Sequence, residues 1–193
     1  MTPVDRTTDI PALPKQAGQA NVPGIRRLWL VEDRHVLGVV DPRTQPGTLT
    51  SWSLPEGGLT LIDGEAFPYV ALTCRAALGT YNQRTVASVQ GVGYAQTVGI
   101  TLPRYHPQTQ LVLARIMGRR WVAVIQDAND LGHLISLPQY PLRFEAAFGA
   151  NPSSFNLVGS TLTPQPALGF SDFWLFENAG AEFSYAFSDE FNS

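Results

Sequence analysis

Between residues 84 and 163 the chain runs RTVASVQGVGYAQTVGITLPRY (84–105), HPQTQLVLARIMGRR (106–120), WVAVIQDANDLGHLISL (121–137) and, after a short link, LRFEAAFGANPSSFNLVGST (142–161). Arg84, Val86, Ser88 and Gln90 alternate with Thr85, Ala87 and Val89, the period of two that a strand with one covered face shows, and the pattern resumes from Tyr94 to Leu102. Pro107 suits a first helical turn, Leu111, Val112, Ala114, Arg115, Ile116 and Met117 fall near a 3.6-residue period, and Gly118 is a stop signal. Trp121 to Ile125 and His133 to Leu137 flank the polar stretch Asp127 to Gly132, a hairpin in outline, and Phe144 to Phe148 and Phe155 to Val158 read as later strands. Strand, helix, hairpin and strands predict a mainly β (α+β) fold, a β-sandwich or barrel-like domain with one packed α-helix.

Composition points the same way. Of 193 residues, 44% are hydrophobic and 15% charged, with seventeen Gly and fifteen Pro, which favours short strands joined by turns over a helical bundle. The length suits one domain with its own core. A net charge of −3 supplies no concentrated basic footprint, so specific nucleic-acid binding is not expected. Twelve of the thirteen basic residues are Arg, Lys15 being the exception, a bias that composition explains better than pairing does. Cys74 stands alone, which rules out an internal disulfide and a Cys-rich metal site. No basic start followed by an apolar run and no span of about 20 apolar residues is present, so a soluble, unexported and unanchored chain made in a cytoplasm is expected.

Three segments follow from the punctuation. Residues 1–24, with Pro3, Pro11, Pro14 and Pro23, read as an extended arm. Residues 25–168 form the structural domain: Ile25 to Val31 and His35 to Val40 are strand-like around Glu32-Asp33, Asp41-Pro42 breaks the run, and Thr48 to Ala77 reads as a meander with a turn at Asp63-Gly64. Tyr69 to Ala77 is apolar at nearly every position, as in a strand covered on both faces or one covered on its second face by a neighbouring subunit, and Gly79 to Asn82 reads as a loop tip. Residues 169–193 combine uncompensated acids with Phe170, Phe173, Trp174, Phe176, Phe183, Tyr185, Phe187 and Phe191. Such rings must dock somewhere, and two readings stand level: a tail that binds a partner, or a last strand of the same core.

The chemistry of an enzyme is not visible. His35, His106 and His133 are isolated, without spacing that sets two ligands on one face, and each suits a structural position. Asp127, Asn129 and Asp130 start like a calcium loop but lack its Gly and its distant Glu, so a polar hairpin tip accounts for them. Gly91-Val92-Gly93 lacks the third glycine and following helix of a phosphate loop and is expected to mark a β-bulge. No serine has a nucleophile-elbow context, and Cys74 lies in an apolar run where a thiol is inert. A ligand site from Trp52, Tyr69, Arg75 and Tyr94 is a third, thinner reading. No catalytic residue, cofactor or metal is expected.

Partner contact is the chemistry that remains. Arg26-Arg27 and Arg119-Arg120 are basic pairs close to Trp29 and Trp121, suited to a partner's carboxylates, with a solvated edge as the plain alternative. If the acidic tail of one copy met these pairs on another, unlike charges would set register, each exposed pair contributing about 0–1 kcal/mol. The expected partner-binding set is therefore Arg26, Arg27, Arg119 and Arg120 together with Phe173, Trp174, Phe176, Phe183, Tyr185 and Phe187.

The succession GYAQTVGITLP, TQLVLARIMG, WVAVIQD with its Asn-Asp-Leu-Gly turn, HLISL and FEAAFGANPSSFNLVGST resembles bacteriophage virion structural proteins of the tail and neck modules, of the tail-tube type. The likeness covers about half of the chain and rests on pattern. It implies a virion subunit whose helix packs on a β-sandwich and whose copies join into stacked, sixfold rings with sheets continuing between subunits. It also implies other virion proteins as partners, DNA passage through a lumen, and no membrane. Head-tail connector, baseplate and capsid-associated adaptor roles are the alternatives, the adaptor acting through its aromatic tail.

Overall fold

The computed structural model describes residues 24–45, 51–62, 69–73, 79–88, 91–103, 107–148, 154–177 and 181–186. The expected arm before Gly24, the Asp63-Gly64 turn, Cys74, Arg75, His106, Phe187 and Phe191 lie outside these residues. In chain order the elements are β1 (Ile25–Glu32), β2 (Val36–Val39), β3 (Leu59–Leu61), β4 (Tyr69–Thr73), β5 (Gly79–Ser88) and β6 (Gly91–Pro103). There follow α1 (Pro107–Ile116), β7 (Trp121–Asp127), β8 (Gly132–Leu134), β9 (Arg143–Phe148), β10 (Ser154–Thr163), β11 (Leu168–Phe170), α2 (Trp174–Glu177) and β12 (Ala181–Ala186).

β1 organises the molecule because it has no polar face. Ile25, Leu28 and Leu30 enter one apolar cluster while Trp29 and Val31 enter another, so the strand is stable only with cover on both sides. It lies in the middle of a six-stranded sheet of order β11-β8-β7-β1-β4-β12, antiparallel to β4 and β7. A second, four-stranded sheet of order β5-β6-β10-β9 is antiparallel throughout, and β2 and β3 form a separate ribbon.

The small sheet and α1 cover one face of the large sheet. Val98, Ile100, Phe144 and Leu157 meet β1, β4 and β7 there, with Leu113 and Ile116 from the helix. On the other face the β2–β3 ribbon supplies Val36, Leu59 and Leu61, and α2 supplies Leu175 and Phe176. Each large apolar side chain fully buried in these layers contributes about 1.5–3 kcal/mol. The fold is thus mainly β, with sheets packed together and few helices, as the sequence pattern predicts.

Local chemistry fixes the joins. The indole Nε1 of Trp121 donates to the Ile116 carbonyl at 2.8 Å, satisfying a C-terminal carbonyl of α1 from the first residue of the next strand. Gly118, at φ 76°, turns the chain there in the left-handed region. At the β7–β8 tip the Asp127 carboxylate accepts from the backbone N–H groups of Asn129 and Leu131, both at 2.8 Å. That Asx-type turn accounts for the acidic tip through backbone capping.

Several local expectations change. Gly79 to Asn82 is not a loop tip but the start of β5, because ten consecutive residues pair with β6. Gly91-Val92-Gly93 carries no bulge: the β5–β6 register is continuous through it, and Gly91 at φ 127° starts β6. β3 and β4 do not form a meander, since β3 pairs with β2 and β4 with β1. In α1 Leu113 and Ile116 face the core while Leu111 is exposed. Of the run from Tyr69 to Ala77, Val70 and Leu72 enter one cluster and Tyr69 and Ala71 the other, Thr73 is exposed, and residues 74–77 lie outside the described ones.

The segment 169–193 departs from a free tail as far as it is described. β11 pairs with β8, and β12 adds parallel to β4 as an edge of the large sheet. The reason lies in the aromatic load. Phe176 stacks on Trp29 at 5.2 Å between ring centroids and meets Tyr69 edge-on at 5.5 Å, and Phe173 lies 5.3 Å from Trp29. The Tyr69 hydroxyl donates to the Phe176 carbonyl at 2.6 Å, so the turn is held by a polar bond within an apolar cluster.

Candidate assembly surface

The inner face of the small sheet is closed by core, and its outer face is not. Cross-strand register places Thr80, Gly99, Val158 and Glu145 in one row, and Asn82, Thr97, Ser160 and Arg143 in the next. None of these eight residues is buried; six are exposed, and Gly99 and Thr97 are intermediate. The centre of the face is small and uncharged, so backbones there are open to close approach. Apolar side chains stand on it at Val158 and Leu162, 40% and 56% exposed. The charges sit at its borders, Arg84 on β5 and Arg143 and Glu145 on β9.

The borders are unusual in another respect. β5 pairs only with β6, and β9 only with β10, among the described residues. Neither edge carries proline, lysine or a register shift, and the only protective charges on them are Arg84 on β5 and Arg143 and Glu145 on β9. A long regular edge beside an uncovered face is a surface suited to addition of a further strand.

Two buried inward groups in this sheet are polar, Gln96 on β6 and Thr163 on β10. Gln96 is 1% exposed, and its Nε2 donates to Thr163 Oγ1 at 2.8 Å and to the Gln165 carbonyl at 3.2 Å. The Thr163 hydroxyl also donates to the Gln165 carbonyl, at 2.6 Å. This network anchors the chain where β10 leaves the small sheet to enter β11. Where the two sheets meet at the edge of β5, Tyr81 stacks on His133 with ring centroids 6.4 Å apart. Burial pushes the Tyr81 phenol up to about 12. Burial also lowers the His133 pKa, an effect that the charge of Asp127 partly offsets.

The arginines singled out in the sequence do not form one site. Arg26 lies at the start of β1 and pairs with Asp130 at 2.8 Å, and Arg27 beside it is exposed. Arg119 pairs with Glu32, and Arg120 with Asp33 at 2.8 Å, beyond the opposite end of β1. Of the aromatic candidates, Phe176 is buried, Phe173 is half-buried against it, and Trp174 remains 42% exposed. Phe183 and Tyr185 belong to β12. The tentative ligand set divides likewise: Trp52 and Tyr69 belong to the cluster behind the large sheet, and Tyr94 to β6.

Among the described residues no group of three His, Cys, Asp or Glu side chains is arranged to hold a metal ion. His35 is half-buried, and both of its ring nitrogens lack a hydrogen-bond partner among the described residues. The border charges Arg84 and Glu145 were not recognisable as a pair in the sequence, because sixty residues separate them and only the sheet order makes them two edges of one surface. Arg84 and Val86, which alternate with Thr85 and Ala87 in the sequence, share one face of β5. No family model matches the chain, and neither a curated protein nor a solved structure matches it.

Proposed function

We propose that this chain is a non-enzymatic structural subunit of a bacteriophage virion, of the tail-tube type, that joins copies of itself into rings, with a hexamer as the expected order. The observation that carries the self-assembling part is the small sheet, with an outer face of small, unburied residues and two edge strands that pair on one side only among the described residues and carry no proline, lysine or register shift. The virion part is supported by the sequence pattern of strand, helix, hairpin and strand. In this reading the ring's lumen passes DNA without sequence-specific contacts, and other virion proteins bind the ring. A connector, baseplate or capsid-associated adaptor is the second reading, favoured by one observation: Trp174 is exposed on a turn whose neighbours Leu175 and Phe176 are buried.

The test is the native mass of the purified protein across a concentration series, with negative-stain images of the same fractions. Rings or stacked tubes are the expected result. A monodisperse monomer at every concentration overturns ring assembly and leaves the adaptor reading.

A further inference from the structure

The two borders of the small sheet are complementary in direction and in charge. Every pair within the sheet is antiparallel, so β5 and β9 run in opposite directions. A neighbour's β9 laid against β5 therefore continues the antiparallel alternation. On the outer face, Arg84 is the only charge of β5, and Glu145 stands on the same face of β9. Both are exposed, and neither has an ion-pair partner among the described residues.

We propose that β9 of one copy pairs antiparallel with β5 of the next, with Glu145 opposite Arg84, so that copies join head to tail through one continuous sheet. The proposal rests on the self-assembly in the preceding reading and adds the edges and the register. With this register all six residues of β9 fall within β5: Phe148 meets Tyr81, Ala147 meets Asn82 and Arg143 meets Val86. No like charges stand opposite one another. Two-fold pairing of β5 with β5 about Arg84 sets Arg84 beside Arg84, and two-fold pairing of β9 with β9 about Glu145 sets Glu145 beside Glu145, which like-charge repulsion disfavours.

The stagger has a physical meaning. The row through Glu145 runs by Val158 and Gly99 to Thr80 of the same chain, so an unstaggered junction puts Glu145 opposite Thr80 and carries Ala147 and Phe148 past the start of β5. Placing Glu145 opposite Arg84 instead shifts the junction by four residues across four strands, or about one residue per strand, the ratio of an eight-stranded barrel of shear eight, whose strands tilt by about 36°. The register that matches the charges thus has the magnitude with which sheets close on themselves.

Two double-cysteine proteins test the register. Asn82→Cys with Ala147→Cys places thiols opposite each other in the staggered junction, and Asn82→Cys with Arg143→Cys does so in the unstaggered one. After mild oxidation, non-reducing gels of the first should show a ladder from dimer to complete ring. The second should stay at the level of the unmodified protein, whose only thiol is Cys74. In parallel, Arg84→Glu and Glu145→Arg should each weaken self-association several-fold, and the two together should restore it, with circular dichroism confirming the fold of each. Rings from the unmodified protein without the ladder, a ladder from the second protein instead, or no rescue by the charge exchange overturn this register while assembly stands. A monomeric unmodified protein overturns assembly and the register with it.

Discussion

The ring of Phe144 lies across Gly159: a Cβ added at Gly159 would stand 2.5 Å from its nearest ring carbon. The two residues are direct cross-strand partners on β9 and β10, on the inner face of the small sheet. The missing side chain leaves the space that the ring occupies, in the core cluster that also holds Leu157 and Ile100.

Gly159→Ala should therefore destabilise the protein by about 1–3 kcal/mol, since the ring must leave its rotamer or the strands must part. Phe144→Leu in the same chain should recover part of that loss, so that the double substitution costs less than the sum of the singles. Urea unfolding of the four proteins checks it. Additive losses would show that the ring relaxes freely.

Phe176 and Trp174 should behave as opposites although they are two residues apart. Phe176→Ala removes a buried ring in contact with Trp29 and Tyr69 and should cost about 3–5 kcal/mol. Trp174→Ala should stay within about 0.5 kcal/mol, as at an exposed site. Tyr69→Phe leaves the Phe176 carbonyl without the hydroxyl and should cost about 1–3 kcal/mol. Thermal and urea melts read all three. A weakened association with another virion protein in Trp174→Ala, at unchanged stability, would support the adaptor reading.

Burial of Tyr81 and His133 predicts a loss of stability toward both acid and alkali. The folded state holds His133 below its ordinary value of 6.5, so as pH falls through that value the unfolded chain takes up the proton first and stability drops. Tyr81, with its pKa pushed up to about 12, stays neutral in the folded state while the unfolded chain ionises near 10, so stability also drops above pH 10. His133→Gln should flatten the acid limb alone, and Tyr81→Phe the alkaline limb alone, in melting temperature against pH. A phenolate titration should show one tyrosine ionising late in the unmodified protein and none delayed at that position in Tyr81→Phe.

How far the sequence could be read depended on how local the signal was. The α1 helix, the β7–β8 hairpin and the strands around Phe144 and Leu157 announce themselves by period and punctuation, and the structure has them. The face of α1 was less legible, since Leu111 and Leu113 are equivalent in hydropathy and only packing makes one exposed and the other buried. Gly79 at the start of β5 looks like a turn signal, yet a Cβ there would come within 2.8 Å of Ile25, so the glycine serves close approach between strands. The C-terminal aromatics advertise stickiness without naming a partner, and Trp29 and Tyr69 answer for Phe173 and Phe176 from more than a hundred residues away. The candidate surface was the least legible part, because Arg84 and Glu145 acquire a relation only through the order of strands between them.

The strand at the centre of the large sheet is also the first of its strands to be synthesised. Trp29 sits between Ala71 and Val124, and the outermost strand beside β4 does not begin until Ala181. During translation β1 must wait, with both apolar faces bare, for neighbours that leave the ribosome much later. Its apolar surface is then a natural substrate for chaperones. Refolding in the test tube should be slow, as for other sheets built from distant pairings, and prone to loss by aggregation at high concentration.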